Sequence, residues 1–555
     1  MKISEDRQIH ILEILFLVFI TIFLFGRTLG YGLVWDDNML ISNNPYFQQN
    51  FHLLDVFKKG LWEFSSVEDH YPYYRPLVTL VYWLETKLWG FDPTYFHAAN
   101  VLMHLCSLLL VWLVALKFKL SSFGRRIASV FFALHPAQVS CVAFVSCHGD
   151  LMVQIFGLLA VLFWMREGKA RWISLLFVFM AMLSKEAGVI LPLVLIAYDL
   201  IIRKKSFRNV AIWTPVLLWF FYFALRFWAI HEVSYESFHW DLLWNNQGAF
   251  RTFAYISRVF FPIPTSQDPI LPTYSPLISA LLFVGFIFLV IVIFQRSKNN
   301  SRVHFFWCWF FLTTLIIANW AGQIVRFSDQ LLYIPMVPIS LLIGSIHFSS
   351  RRIIGYWVIL FSVFAVVSYS QIPFWKNEYE FWKNESHYRK DDPAVMMNFV
   401  SEYNARYKPE NACELYLEVE KLLQSKYNAK IHFLLTYNLG NCYREKNLFL
   451  AEDYYRKAIG ISNRHWLAKN NLIDVLVLQN KLPEALQIAT ELVMDRPNLF
   501  GPWRTLGVVQ AKMKNFAGAV ASFQHAQKIN PEDLEIQQMI NDAKALEAKM
   551  DALKK

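Results

Sequence analysis

The chain has 555 residues, of which 55% are hydrophobic, 17% aromatic and only 17% charged, too few charges for a wholly soluble chain, which carries roughly 25%. Twenty Gly and 21 Pro among abundant apolar residues exclude a disordered or collagen-like chain, and six Cys are too few and too scattered for a disulfide scaffold or a Cys-type zinc site. Net charge is +10, but residues 1–372 hold 28 Lys/Arg and 20 Asp/Glu while the much shorter 373–555 holds 25 and 23. This division predicts an all-α chain with a polytopic membrane domain over 1–372, a linker over 373–390 and a water-exposed domain over 391–555.

A spanning helix needs about 20 mostly apolar residues. Such stretches fall near 10–30, 96–116, 127–147, 151–165, 172–184, 187–201, 209–229, 275–294, 303–320, 331–349 and 353–371, eleven in all. The first is too long for a cleavable signal and has no small-residue cleavage site after it. Alternate connections are basic: Lys2/Arg7, Lys117 to Arg126, Arg166 to Arg171, Arg203 to Arg208, Arg296 to Arg302, and Arg351/Arg352. The positive-inside rule puts all six in the cytoplasm. The outer face then receives the loop 31–95 with its interfacial helices, turns near 148–150, 185–186 and 321–330, the segment 230–274, and everything after 371. Segment 249–262, AFRTFAYISRVFFP, is too short to span comfortably and reads as an interfacial helix. As a twelfth span it would move the C-terminal domain to the cytoplasm.

Charges in or beside a membrane are costly, so each is a candidate functional group. Asp36 and Asp37 follow the first span at headgroup depth. They suit a general base or a metal ligand, and equally an N-cap for the next segment. Arg75, in HYPYYRP, suits phosphate recognition, or snorkelling among interfacial aromatics. His135-Pro136 interrupts the third span, where a kink is expected and the imidazole needs a partner. His148 and Asp150 bring an acid to the same outer face as Asp36/Asp37. Lys185-Glu186 lies at an outer hairpin, where Lys185 can meet a phosphate or form only a salt bridge with its neighbour. Arg326, Asp329 and Tyr333 cluster at a later outer turn. The sequence has no P-loop, Rossmann fingerprint, G-x-S-x-G or H-E-x-x-H. An externally facing enzyme without a nucleotide site needs a pre-activated, membrane-borne donor. No cofactor follows from these residues; if a divalent metal takes part, Asp36 and Asp150 are its candidate ligands. Cytoplasmic loops account for the basicity, so nucleic acid is not an expected partner.

The soluble end repeats. Asn438-Leu439-Gly440 with Tyr443, Ala451 and Tyr455 is followed by Leu472, Leu476, Ala485 and Pro497, then by Trp503, Leu506, Gly507, Ala519, Phe523, Ala526 and Pro531. The leucines are 33 (439 to 472) and 34 (472 to 506) residues apart, a TPR period. A looser copy holds Phe399, Tyr403, Ala412 and Tyr416, and 535–555 reads as a solvated capping helix. Such a stack offers a concave peptide-binding surface, or a rigid platform. Cys413 and Cys442 either pair in an oxidising compartment or stay as buried thiols.

Trp35-Asp36-Asp37, Tyr74-Arg75-Pro76-Leu77, FHAANVLMHL, ALHPAQVSCVAFVSCHGDLM and SKEAGV…YDL occur in an order that resembles the transmembrane-and-TPR O-mannosyltransferases and their bacterial relatives, which are GT-C glycosyltransferases. The resemblance covers essentially the whole chain. It implies transfer of a sugar from a polyprenyl-phosphate donor to Ser/Thr hydroxyls of extracytoplasmic proteins. In a bacterium the repeats would lie in the periplasm, in a eukaryote in the ER lumen. It also implies Asp36 or Asp37 as base, Asp150 as the second acid, Arg75, Lys185 and Arg326 at the donor phosphate, and His135, His148 and Glu186 in support. An acceptor peptide in the TPR groove and the bilayer are the other partners. The chain departs from the family pattern at Ser140, where an acid is usual, at His148, where Arg is usual, and at Gln330, where Arg is lost or moved to Arg326. A glycolipid or cell-wall transferase of the same fold, and a non-catalytic membrane scaffold for the repeats, are the alternative functions.

Overall fold

The structure is a computed structural model. It describes residues 5–48, 52–64, 73–230, 247–262, 300–317, 328–346, 351–408, 411–462 and 465–554, with single positions between 266 and 295. Every regular element among the described residues is helical. The chain divides into two compact units, Met1–Asn384 and Glu385–Lys555.

In the first unit, four described helical stretches are long and apolar enough to cross a membrane: Gln8–Gly30, Pro93–Lys117, Val145–Trp164 and Ile353–Trp375. Helices Ile173–Ser184, Leu191–Ile201, Leu217–Ala229, Ser301–Ile317 and Met336–Gly344 fall on other expected spans but are shorter. Of the stretch 275–294, only single positions are described. The helix Gln247–Phe260 coincides with the expected interfacial segment.

The third expected span, 127–147, is not one helix. Helix Ser122–Leu134 stops at His135, whose backbone is extended (φ −66°, ψ 129°), as the residue before a proline prefers. The chain then makes a short buried helix, Gln138–Ala143, and a tight turn, Val145–Cys147. Residues 148–150, expected as an outer turn, are instead the first turn of the helix His148–Trp164. Local chemistry thus breaks the expected straight span at His135-Pro136, and the short helix and turn that follow place Cys141, Cys147, His148 and Asp150 in the buried interior.

Small residues set the closest contacts. A Cβ on Gly124 would lie 2.1 Å from the Gly344 carbonyl oxygen, and one on Gly344 2.4 Å from that of Gly124, so the helices Ser122–Leu134 and Met336–Gly344 meet at backbone distance. At the expected cytoplasmic end of the first span, buried Glu13 accepts from Trp112 Nε1 (2.9 Å), Arg125 Nε (3.1 Å) and Arg126 Nε (2.7 Å). Residues 372–382 join this unit: Trp375 and Phe381 are buried in its core.

The second unit is a run of helix pairs: Pro393–Tyr407 with Ala412–Ser425, Ala429–Tyr443 with Leu448–Ile461, Trp466–Leu478 with Leu482–Asp495, and Phe500–Lys512 with Phe516–Ile529. The helix Leu534–Lys554 follows where the cap was expected. The repeat residues are those that pack. Ala451, Ala485 and Ala519 are fully buried. A Cβ on Gly440 would sit 2.6 Å from the Tyr455 ring, and one on Gly507 2.4 Å from the Phe523 ring. The two alternatives for Cys413 and Cys442 resolve to a disulfide, with Cα atoms 5.7 Å apart.

Candidate active site

The turn after the first span is held from several directions. Trp35 has φ +52°, a left-handed conformation rarely adopted by an aromatic residue and kept only where the surroundings impose it. Here its ring stacks on Phe144 (5.9 Å) and Phe381 (5.6 Å). Its N–H and the Asn38 amide both donate to Glu378 Oε1, at 2.8 and 2.7 Å. The two acids that follow have different surroundings. Asp36 is half-buried, whereas Asp37 is fully buried. Asp37 Oδ1 accepts from the Ser146 N–H (2.6 Å) and hydroxyl (2.5 Å), and Oδ2 from the N–H groups of Val34 (3.3 Å) and Val145 (3.4 Å). The Asp37 side chain does not cap the following turn; it ties that turn to Val145 and Ser146. Burial pushes its carboxyl up to about 7 against the pull of the Ser146 and Val34 donors, with Asp36 pushing the same way as burial.

Two ion pairs lie on the same patch. Lys185 Nζ is 2.5 Å from Asp150 Oδ2. Glycine makes this approach possible: a Cβ on Gly149 would be 3.1 Å from the Ser184 carbonyl oxygen and 3.5 Å from Lys185 Cβ. Gly188, packed against the Ala181–Met182 backbone, folds the next turn back so that Glu186 meets Arg75. Glu186 accepts from Arg75 Nε (3.0 Å) and Nη2 (2.8 Å), a forked contact that fixes the guanidinium plane and does not use Nη1. Arg75 also lies over the Tyr73 ring, 4.5 Å from its centroid. Burial works against charge on Lys185, but Asp150 outweighs it and the ammonium is held above its ordinary range. Burial would raise Glu186, and Arg75 more than reverses this. Arg75 also feels the Asp150 charge, so the four groups form one electrostatic cluster.

The two histidines are both braces. His135 Nδ1 accepts from the Ala137 N–H (3.2 Å), which leaves Nε2 to donate to the Val259 carbonyl (2.9 Å). His148 Nδ1 donates to the Val145 carbonyl (2.7 Å), and Nε2 shares a proton with Glu85 Oε1 (3.1 Å). Tyr82 donates to the same carbonyl at 3.1 Å. Ser140 is buried beside this layer. Arg326 lies outside the described residues. Its neighbour Asp329 is 3.6 Å from Arg258, and burial raises the Asp329 carboxyl against that cation.

Sequence reasoning missed Glu85, Ser146, Cys141 and Cys147. Cys147 Sγ donates to Gln330 Oε1 at 3.3 Å, and a carboxylate oxygen of Asp150 and both thiols lie within 4.8 Å of one another. Asp36 is not in that group. The available signal was the break at Pro136, which a straight span had hidden.

A membrane unit with a buried charged patch at its helix ends, followed by TPR-like helix pairs, is the class of protein that the fold and site define. No family model matches the chain. It is similar to a protein O-mannosyl-transferase of Caenorhabditis elegans, 27% identical over 210 residues, 37% of this chain and 30% of the relative. It is also similar to the protein O-mannosyl-transferases TMTC4 of Homo sapiens (31% over 215 residues, 34% of this chain and 29% of the relative) and TMTC1 of Mus musculus (31% over 198 residues, 32% and 21%). These matches bear out the resemblance to transmembrane-and-TPR O-mannosyltransferases, while spanning less than a third of each relative's length. Among solved structures, YrrB, a TPR protein with an unusual peptide-binding site, matches at 16% identity and TM-score 0.26, covering 34% of this chain and 89% of that one. A likeness at that score carries no argument, and the repeat assignment rests on the spacing and pairing above.

Proposed function

We propose that the chain is a membrane glycosyltransferase that moves a sugar from a polyprenyl-phosphate donor to Ser/Thr hydroxyls of extracytoplasmic proteins, by a single inverting displacement. The observation that carries this reading is the cluster of Arg75–Glu186 and Lys185–Asp150, with Asp150 in the first turn of the helix that follows the turn holding Asp37. Of the two acids, Asp36 is the half-buried one, open to an acceptor hydroxyl, and is the base. Its carboxylate takes the hydroxyl proton as the acceptor oxygen bonds to the anomeric carbon. The carbon–oxygen bond to phosphate breaks, and the polyprenyl phosphate leaves with the electron pair. The Nη1 side of Arg75 and the Lys185 ammonium bind that phosphate and stabilise its growing charge. Glu186 and Asp150 hold the two cations in place, which lowers the reorganisation needed during reaction.

The repeats bind the acceptor protein and raise its concentration near the site. The basic connections on one face, and the Cys413–Cys442 disulfide, support an oxidising, extracytoplasmic compartment for the second unit. The test is sugar transfer to envelope or secretory proteins, read by intact glycopeptide mass, with wild type, Asp36→Asn and a deletion strain. Transfer that persists in the deletion strain rejects the reading. Transfer that persists in Asp36→Asn at normal protein level rejects the base.

A further inference from the structure

The short helix and turn that follow Pro136 bring two thiols that the transfer reading leaves unused together with Asp150, which that reading uses only to hold Lys185. Cys141 is near the end of the short helix, Cys147 ends the next turn, and Asp150 lies in the first turn of His148–Trp164. Three consecutive elements therefore point ligand atoms at one place. Both thiols and an Asp150 carboxylate oxygen lie within 4.8 Å of one another. The three residues are 0%, 2% and 2% exposed. The Gln330 oxygen, on a different element, is 3.3 Å from Cys147 Sγ, and Gln330 is only half-buried, which leaves an entry side.

We propose that Cys141, Cys147, Asp150 and Gln330 form a site for a thiophilic divalent cation of the Zn²⁺ class. Two sulfurs select against Mg²⁺ and Ca²⁺, which take oxygen ligands in larger number. Zinc bonds of about 2.3 Å to sulfur and about 2.0–2.2 Å to oxygen put tetrahedral ligand atoms roughly 3.4–3.8 Å apart, so a contraction on the order of 1 Å closes the set. The charges balance. Two thiolates and one carboxylate are offset by the cation and by Lys185, which stays on Asp150 Oδ2. A neutral cluster is what a buried place tolerates. Binding releases the two thiol protons to solvent, so uptake strengthens as pH rises. The inference goes beyond the transfer reading and holds with or without it.

The experiment uses the full-length chain in detergent, reduced and stripped of metal, with Co²⁺ and Zn²⁺ as probes. One Co²⁺ per chain binds with a thiolate-to-cobalt charge-transfer band, and Zn²⁺ displaces it. Cys141→Ser and Cys147→Ser each weaken Zn²⁺ binding by at least ~10-fold and bleach the band. Cys413→Ser with Cys442→Ser leaves the band intact. A wild-type chain without the band overturns the proposal, as does a band that survives in the Cys141→Ser/Cys147→Ser double variant. Alkylation mapping of the wild type needs no variant to fold: Zn²⁺ shields Cys141 and Cys147 but not Cys106, and equal labelling with and without Zn²⁺ also overturns the site. A protein that binds the metal but transfers no sugar counts against the transfer reading alone.

Discussion

Lys185–Asp150 in the membrane unit and Arg456–Glu484 in the repeat unit have the same nitrogen–oxygen separation, 2.5 Å. The first pair is 13% and 3% exposed, the second 42% and 42%. Equal geometry does not mean equal energy. In the repeat unit water competes for both partners and salt screens them. In the membrane unit each partner has given up its hydration, so the pair is costly to form and more costly to break. The membrane unit spends charge on fixing cations at a site. The repeat unit spends small residues and aromatics on stacking and leaves its charges to the solvent.

The largest effect belongs to the proposed base. Asp36→Asn lowers transfer by roughly 10²–10⁴-fold with little change in protein level, measured as glycopeptide yield. The next is the buried pair. Asp150→Asn or Lys185→Met alone strands one charge and destabilises the membrane unit by about 3–5 kcal/mol, read as a fall in detergent melting temperature. The double replacement with apolar residues recovers much of that loss. Singles as mild as those at Arg456 would erase the contrast between the two units.

The repeat unit was legible because its information is local and repeated. Leu439, Leu472 and Leu506, and the Gly440–Tyr455 and Gly507–Phe523 pairs, recur at a fixed period, and each copy reinforces the next. In the membrane unit the apolar stretches were legible, but their interruptions were not. His135-Pro136 announced a kink; the short helix and turn that follow it are held to Asp37 through Ser146 and Val145, contacts that no local spacing displays. Asp36 and Asp37 look alike in sequence. They separate only when Ser146, more than a hundred positions away, closes over one of them. The links His148–Glu85 and Cys147–Gln330 are likewise tertiary, with no spacing that could have revealed them.

Between these extremes lies the Cys413–Cys442 link, 29 residues apart in sequence. Closing a loop of that length restricts the unfolded chain by about 3–4 kcal/mol. Cys413→Ser therefore speeds hydrogen exchange in 412–443 and leaves the membrane unit's exchange unchanged. A pH series tests the other unit. Asp37 sits near 7 when folded against 3.8 for the ordinary carboxyl, so the folded state holds the proton more tightly. Its contribution is complete below about pH 4, declines as pH rises, and is gone above about pH 7. Melting temperature of the membrane unit therefore falls over that range, and Asp37→Asn, which cannot titrate there, removes that part of the slope.

The smallest effect is the sharpest check on the role of burial. Arg456 meets Glu452 at 2.8 Å as well as Glu484 at 2.5 Å, and Lys481 meets Glu452 at 2.6 Å, so the surface holds a small network with short distances. If distance governed the energy, this network would rival Lys185–Asp150. If solvent governs it, a double-mutant cycle of Arg456→Ala with Glu484→Ala gives a coupling of only about 0.2–1 kcal/mol. That coupling then shrinks further in 1 M salt, where the Debye length is about 3 Å. A coupling of several kcal/mol that ignores salt would mean that the repeat surface is drier than its exposure implies, and that the two units handle charge alike.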